Sequence, residues 1–107
     1  MNFLLIARVS GSSMLPTLKS GQRALFWPVK NANHSLLGKV VLISRINSSG
    51  ARDFYQIKRV KEYKEGKFFV TGDNADFSTD SREFGWIESD EIVGKLLFEF
   101  KIGRAHV

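Results

Sequence analysis

The sequence predicts a mostly β fold, in which antiparallel sheets form a small barrel or sandwich. Short apolar runs rich in β-branched and aromatic residues recur along the chain, and residues typical of turns separate them. No segment shows a convincing helical periodicity. At 107 residues the chain is long enough for one hydrophobic core and no linker divides it, so residues 1–101 are predicted to be a single domain.

Each predicted strand is an apolar run bounded by a recognisable break. Pro28 ends the second strand, a Ser- and Gly-containing cluster at residues 47–51 turns the chain after the third, and Gly66 marks a turn before the fifth. The predicted strands cover residues 3–9, 22–29, 38–45, 53–63, 67–71 and 92–101. Residues 30–37 and 72–82 are predicted to be polar loops.

The composition narrows the classes of function. The chain has no cysteine, which excludes disulfides and thiolate metal sites, and its two histidines, His34 and His106, lie far apart in sequence. Lys and Arg number 16 against 11 Asp and Glu, a net charge of +5, but the basic residues are scattered rather than clustered. We therefore expect a mildly basic, solvated surface and no metal or cofactor.

The apolar run at residues 3–7 is too short to span a bilayer, and it lacks the length and the preceding basic region of a secretory signal. The sequence as written is therefore expected to have no transmembrane anchor. Residues 102–107 match one reading frame of a common sequencing adapter, so they are interpreted as a non-native tail.

The segment Gly-Ser-Ser-Met-Leu-Pro-Thr-Leu at residues 11–18 is the first candidate functional site. Pro16 fixes its own φ angle and favours an extended conformation at Leu15, which would hold Ser13 in a defined loop. An exposed hydroxyl beside backbone N–H donors is what a serine nucleophile needs. The alternative is a plain turn, for which serine beside glycine and proline is typical.

Lys58, in the predicted strand 53–63, is the second candidate. Strand alternation places Lys58 on the same face as Phe54, Gln56 and Val60, two of which are apolar. A lysine held among apolar side chains loses hydration, which lowers its pKa, and a neutral amine can take a proton from a serine hydroxyl without a histidine. The alternative is a lysine whose amine reaches solvent from the edge of the sheet.

The loop at residues 72–82 is the third candidate, because Gly, Asp, Asn and Ser are concentrated there. Its oxygen-bearing residues alternate from Asn74 through Asp76 and Ser78 to Asp80, a pattern that could coordinate an ion, although it fails the EF-hand spacing. Side chains that cap their own backbone explain the composition better. Asp80 and Arg82 could then form a partly buried ion pair, and Ser78 could bind an amine.

These three segments, in this order, resemble the sequence boxes of the signal peptidase I family of serine endopeptidases, peptidase S26. Ser-Met-Leu-Pro-Thr-Leu at residues 13–18 is similar to the nucleophile box, and Ile-Lys-Arg-Val at 57–60 to the lysine box. Gly-Asp-Asn at 72–74 with Ser-Thr-Asp-Ser-Arg at 78–82 resembles the third box, and Val-Gly-Lys at 93–95 the segment after it. Together the boxes cover most of residues 9–95.

The resemblance implies a protease with a Ser-Lys dyad. Ser13 would be the nucleophile and Lys58 the general base, and no cofactor would be needed. Ser78 would orient the amine of Lys58, while Asp80 and Arg82 would support the loop that carries Ser78.

The resemblance also implies what surrounds the reaction. Gly11, Ser12 and Met14 would border the oxyanion site and the substrate groove, and the backbone N–H of Ser13 would supply one oxyanion donor. Some family members have a serine at the position of Gly11 as a second donor, so here the second donor stays open. Family substrates carry small residues one and three positions before the cleaved bond.

The chain departs from the family pattern in two ways. Family members typically begin with membrane spans, and a large inserted domain follows their lysine box, whereas residues 60–66 lead here almost directly to the third box. The chain is therefore similar to the compact nickel-type superoxide dismutase maturation proteases, which remove a leader in the cytoplasm. The expected partner is a leader-bearing precursor protein, and the expected location is cytoplasmic. A leader peptidase that has lost an N-terminal anchor, with membrane association or peripheral membrane contact, is the alternative.

Two other functions are compatible with parts of the sequence. A small basic β-barrel could bind single-stranded nucleic acid by stacking bases on Phe26, Trp27, Phe68 and Phe69, but this interpretation leaves the three boxes unexplained, and no nucleic-acid partner is expected. A self-cleaving repressor-type domain would need a cleavage site before Ser13, where residues 1–12 offer little room.

Overall fold

In a computed structural model, which describes residues 3–46 and 52–100, seven β-strands form one antiparallel sheet. The strands are β1 (Leu5–Arg8), β2 (Arg23–Pro28), β3 (Val40–Ile46), β4 (Arg52–Lys64), β5 (Lys67–Thr71), β6 (Ile87–Glu88) and β7 (Ile92–Phe100). Their order in the sheet is β1-β2-β7-β3-β4-β5-β6, so the sheet is open. The prediction of a mostly β, antiparallel fold is confirmed.

The helical elements are all short. One α-helix, α1, covers Ser81–Phe84, and 3₁₀-helices cover His34–Leu36, Ala75–Phe77 and Ser89–Glu91. The six predicted strands correspond to β1–β5 and β7, but β6 and these helices were not predicted. The predicted turn at residues 47–51 and the predicted tail at 102–107 lie outside the described residues. No helix among the described residues is long and apolar enough to cross a bilayer.

Strand β3 is buried on both faces, which explains its continuous apolar sequence. Its alternate residues contribute to two different hydrophobic clusters, because successive side chains of a strand point to opposite faces. One cluster contains Leu36, Val41, Ile43, Val60, Phe68, Val70, Ile87 and Ile92. The other contains Val9, Met14, Leu18, Ala24, Phe26, Val40 and Leu42, so it packs the candidate nucleophile loop against the sheet.

Strand β4 changes its pairing partner near the candidate lysine. It pairs with β3 from Arg52 to Arg59, while its pairing with β5 begins only at Arg59, opposite Thr71. Lys58 therefore lies immediately before the point where β5 leaves β4. The loop that follows β5 passes this position, and this brings residues 72–80 next to Lys58.

Candidate active site

The loop that carries Ser13 is held at both ends. Val9 N–H donates to the carbonyl of Gln22, and Gly21 N–H donates to the carbonyl of Val9, so the loop leaves and re-enters the sheet at one place. Gly11 has a φ of +83°, in the left-handed region that favours glycine. Met14 is buried at 2% exposure, whereas Ser13 is half-buried. Ser13 thus keeps part of its surface exposed beside a fully packed neighbour.

Lys58 is buried in the sheet, with 4% of its surface exposed. Its Nζ donates a hydrogen bond of 3.1 Å to Ser78 Oγ. Burial lowers the pKa of the Lys58 amine, an effect that the nearby Asp80 carboxylate opposes and the Arg82 guanidinium reinforces. The neutral amine, which is the form that can accept a proton, is therefore reached at lower pH than for a lysine in water.

Asp80 organises the loop behind Lys58. Its carboxylate is completely buried and accepts hydrogen bonds from Ser78 Oγ and Gly72 N–H, each of 2.8 Å. Arg82 adds two more through Nε and a terminal nitrogen, at 2.9 and 2.7 Å. Burial acts to raise the pKa of Asp80, but these hydrogen bonds outweigh it and the pKa lies well below its usual range. Asp80 is therefore a fixed negative charge.

Gly72 lies between the nucleophile loop and Ser78. A Cβ atom at this position would lie 2.2 Å from Ser78 Oγ and 2.7 Å from the carbonyl oxygen of Ser13. Asn74, two residues later in the loop, donates its backbone N–H to the Ser13 carbonyl at 2.8 Å. Its side-chain amide donates to the Ser12 carbonyl at 3.0 Å. The third sequence box thus contacts the nucleophile loop directly.

A second carboxylate, Asp73, joins all three boxes. It accepts two hydrogen bonds of 2.8 Å from Arg59, the residue after Lys58, and one from the hydroxyl of Thr17. Arg59 also donates to the carbonyl of Gly38 at 2.8 Å. The hydrogen bonds from Arg59 lower the pKa of Asp73, so this bridge is charged near neutral pH.

A cleft of about 230 Å³ is formed where the nucleophile loop faces β4. Ser13 and Lys58 both line it, together with Arg8, Val9, Ser10, Gly11, Met14, Tyr55, Gln56 and Ile57. Of the remaining predicted site residues, Ser78 contacts Lys58, while Asp80 and Arg82 stand behind Ser78. The structure therefore brings the three sequence boxes together around one cleft.

The structure bears on two alternatives from the sequence: the role of the polar loop at residues 72–82 and the binding of nucleic acid. In the polar loop, Ser78 and Asp80 bind groups of the same loop, in agreement with side chains that hold their own backbone, whereas the Asn74 side chain binds the Ser12 carbonyl of the nucleophile loop. The prediction that nucleic-acid bases stack on four aromatic side chains is wrong for Phe26 and Phe68. Both side chains are completely buried in the two hydrophobic clusters. Their apolar strands form the core, so their rings are not available to a nucleic acid.

The family model described as signal peptidase, peptidase S26, matches residues 30–101. This segment includes Lys58, Ser78, Asp80 and Arg82. The chain belongs to this family. Ser13 lies outside the matched segment, so its place in the signal peptidase site depends on the nucleophile box and on the geometry of the cleft.

Two signal peptidases illustrate the similarity. Signal peptidase IB from Staphylococcus aureus is 56% identical over 36 residues, which make up 34% of this chain and 19% of that protein. Signal peptidase I from Buchnera aphidicola subsp. Schizaphis graminum is 31% identical over 74 residues, 65% of this chain and 23% of that protein. The chain thus spans about a fifth of the length of these relatives.

Four residues that link the boxes or hold the nucleophile loop were not predicted to do so from the sequence. Asp73, Arg59 and Thr17 link the boxes to one another, and Asn74 holds the Ser13 loop by its backbone. All of them lie within the boxes, so their presence in a shared motif was the only signal that could have found them. Gln56, which lines the cleft, lies outside the boxes and carried only its strand position as a signal.

Proposed function

We propose that this signal peptidase family member is a serine endopeptidase that uses a Ser-Lys dyad to remove an N-terminal leader or signal peptide from a precursor protein. The observation that carries the proposal is the buried amine of Lys58, bound to Ser78 Oγ in the cleft that Ser13 lines. Lysine is almost never fully buried unless it is paired. Among the described residues no ion pair to Lys58 is found, and a buried lysine with a lowered pKa in a cleft is typical of a functional site.

In the proposed mechanism, the neutral amine of Lys58 takes the proton of the Ser13 hydroxyl as Oγ bonds to the carbonyl carbon of the substrate. The carbonyl oxygen becomes negatively charged and accepts a hydrogen bond from the Ser13 N–H. The C–N bond then breaks, and the protonated Lys58 gives its proton to the leaving amine. Water hydrolyses the resulting ester with Lys58 again as the base, which restores the Ser13 hydroxyl.

The proposed substrate is a precursor with small residues before the cleaved bond. The cleft volume of about 230 Å³ is below the roughly 300–1,000 Å³ of sites that hold drug-sized ligands, so it suits small side chains. Residues 60–66 connect the lysine box to the third box where other family members carry a large insertion. Since this short connection resembles that of the nickel-type superoxide dismutase maturation proteases, the precursor of such a dismutase is the candidate substrate.

The test uses the full chain and a fluorogenic peptide with alanine one and three positions before the expected cut. Ser13→Ala and Lys58→Met should each lower kcat/KM by about a thousandfold or more, because the nucleophile and its base act as a unit. Ser20→Ala and Lys61→Met are matched controls, since both residues are exposed and lie in the same loop and strand as the proposed dyad.

The controls should retain the wild-type rate, and circular dichroism should show that all four variants are folded. Cleavage by Ser13→Ala or Lys58→Met at the wild-type rate would contradict the dyad. Cleavage product mapped by mass spectrometry identifies the bond, and the nickel superoxide dismutase precursor can be added in parallel as a protein substrate.

A further inference from the structure

Asn74 holds the two peptide groups that flank Ser13. Its backbone N–H donates to the Ser13 carbonyl at 2.8 Å, and its side-chain Nδ2 donates to the Ser12 carbonyl at 3.0 Å. Asn74 and Ser12 are 62 positions apart in the sequence, so the side-chain contact ties the nucleophile loop to the loop at residues 72–82. This contact is partly buried, which shields it from competing water.

The Ser12 carbonyl and the Ser13 N–H belong to the same peptide unit. This unit is trans, and a planar trans peptide directs its carbonyl and its N–H in opposite directions. A side chain that fixes the direction of the carbonyl therefore also fixes the direction of the N–H. Within residues 3–46 and 52–100, no group accepts a hydrogen bond from the Ser13 N–H, so this donor is available to a substrate oxygen.

The same carbonyl accepts a second hydrogen bond from within the nucleophile loop. Leu15 N–H donates to the Ser12 carbonyl at 3.2 Å, which is the long end of the usual range. The Asn74 amide adds a shorter bond that comes from another part of the fold. Hydrogen bonds in series polarise one another, so each bond to the carbonyl makes the N–H of the same peptide unit a stronger donor.

The loop that carries Asn74 also holds the proposed base. Ser78, four residues later, accepts the hydrogen bond from Lys58 Nζ, and the buried Asp80 carboxylate accepts one from Ser78 Oγ. One loop therefore fixes both the amine and the peptide unit between Ser12 and Ser13. The two groups that would act on the substrate share a common support.

We propose that the Asn74 side chain is a positioning residue for the oxyanion site: by holding the Ser12 carbonyl, it directs the Ser13 N–H at the oxygen that becomes negatively charged during cleavage. The inference rests on the proposed protease function and adds to it a side chain that acts on the reaction through the backbone. An oxyanion donor is most effective when it already points at the developing charge. Loss of the Asn74 amide should therefore lower kcat more than it changes KM.

The test removes the side-chain amide and keeps the backbone of residue 74. In Asn74→Ala, kcat for the alanine-containing fluorogenic peptide should fall about 10–100-fold, less than the roughly 10²–10³-fold cost of losing an oxyanion donor outright. KM should stay within about twofold. Asn33→Ala is the matched control, because it also removes one hydrogen bond between an asparagine side chain and the backbone, from Ser35 N–H to Asn33 Oδ1, in an exposed loop. It should keep the wild-type kcat.

A pair of inhibitors separates positioning from a general structural role. A peptide aldehyde adds the Ser13 hydroxyl across its C=O bond, and the resulting hemiacetal places its oxygen in the oxyanion site, whereas the corresponding peptide alcohol forms no such adduct. Asn74→Ala should weaken inhibition by the aldehyde about tenfold or more and leave inhibition by the alcohol unchanged. An equal loss for both inhibitors would mean that Asn74 serves the fold or substrate binding, which would overturn the inference.

The other outcomes distinguish this inference from the protease function itself. Wild-type kcat in Asn74→Ala would overturn the inference, while the cleavage would still support the protease. Neither cleavage nor aldehyde inhibition in the wild type would overturn both. Asn74→Asp is a second variant, because it keeps the shape and replaces the donor by an acceptor, and its kcat should fall at least as far. Unfolding of both variants, seen by circular dichroism, would show that Asn74 serves the fold and would also overturn the inference.

Discussion

Lys58 and Ser78 are joined by a hydrogen bond of 3.1 Å from Nζ to Oγ, and Ser78 Oγ donates onward to Asp80 Oδ2 at 2.8 Å. The buried amine therefore reaches the buried carboxylate through a hydroxyl and forms no direct ion pair with it. A direct pair would favour the protonated amine more strongly. Because the Ser78 hydroxyl lies between the two groups, burial remains the largest influence on the pKa of Lys58. The hydrogen bond to Ser78 still fixes the orientation of the amine.

The pH dependence of cleavage follows from that pKa. The base must be neutral, so kcat/KM should rise with pH and level off above a midpoint below 10.5, the ordinary value for lysine. Asp80→Asn should move the midpoint to lower pH, because the Asp80 carboxylate raises the pKa of Lys58. Asp76→Asn, an exposed change in the same loop, should leave the midpoint in place. A rate that does not fall as the pH is lowered into the acidic range would argue against Lys58 as the base.

Ser78→Ala tests the orientation of the amine. The substitution removes the acceptor of the Lys58 hydrogen bond, and we expect kcat to fall about 10–100-fold with little change in KM, the value of a hydrogen bond to a charged group. Ser81→Ala is the control, because Ser81 Oγ accepts a buried hydrogen bond from Val70 N–H and contacts no proposed catalytic group. It should lower stability and leave kcat unchanged. Equal kcat values for Ser78→Ala and the wild type would show that the contact has no role in the reaction.

Gly72→Ala tests the packing between the nucleophile loop and Ser78. The added methyl group would lie within 2.7 Å of both Ser78 Oγ and the Ser13 carbonyl oxygen, so one of them must move. We expect a loss of about 1–3 kcal/mol in the free energy of unfolding together with a loss of activity. Gly94→Ala is a matched overpacking control, since its Cβ would lie 2.9 Å from Phe26 Cβ in the core. It should destabilise the fold to a similar extent, measured by urea unfolding, but preserve kcat. Full activity in Gly72→Ala would contradict the close approach.

Asp73→Asn tests the link between the boxes through acid unfolding. The pKa of Asp73 is lowered in the folded state, chiefly by the hydrogen bonds from Arg59, relative to about 3.8 in the unfolded chain. Its contribution to stability is therefore complete above that value and is lost as the pH falls through the folded pKa. The variant should be less stable by about 1–3 kcal/mol at pH 7 and should lose less stability than the wild type as the pH falls below 3.8. The same acid-unfolding curve for both proteins would contradict a stabilising bridge.

Strand alternation gave a buried Lys58 as one of two possible environments, and the structure decides for burial over an amine that reaches solvent. The pattern of residues 54–60 places Lys58 beside Val60, and both are buried, whereas Tyr55 on the opposite face is 66% exposed. The two-residue strand β6 escaped prediction, because Ile87–Glu88 is too short for any periodicity to emerge. The catalytic roles of Ser13 and Lys58 themselves stay predictions that the cleavage experiments test.

What the sequence alone determined is local: the strands, their buried faces and the residue types of the three boxes, since these depend on neighbours a few positions away. Only the tertiary structure decided which distant groups meet. Thr17 reaches Asp73 across 56 positions, and Asn74 reaches the Ser12 carbonyl across 62. Such contacts depend on the order of strands in the sheet and on where β5 leaves β4.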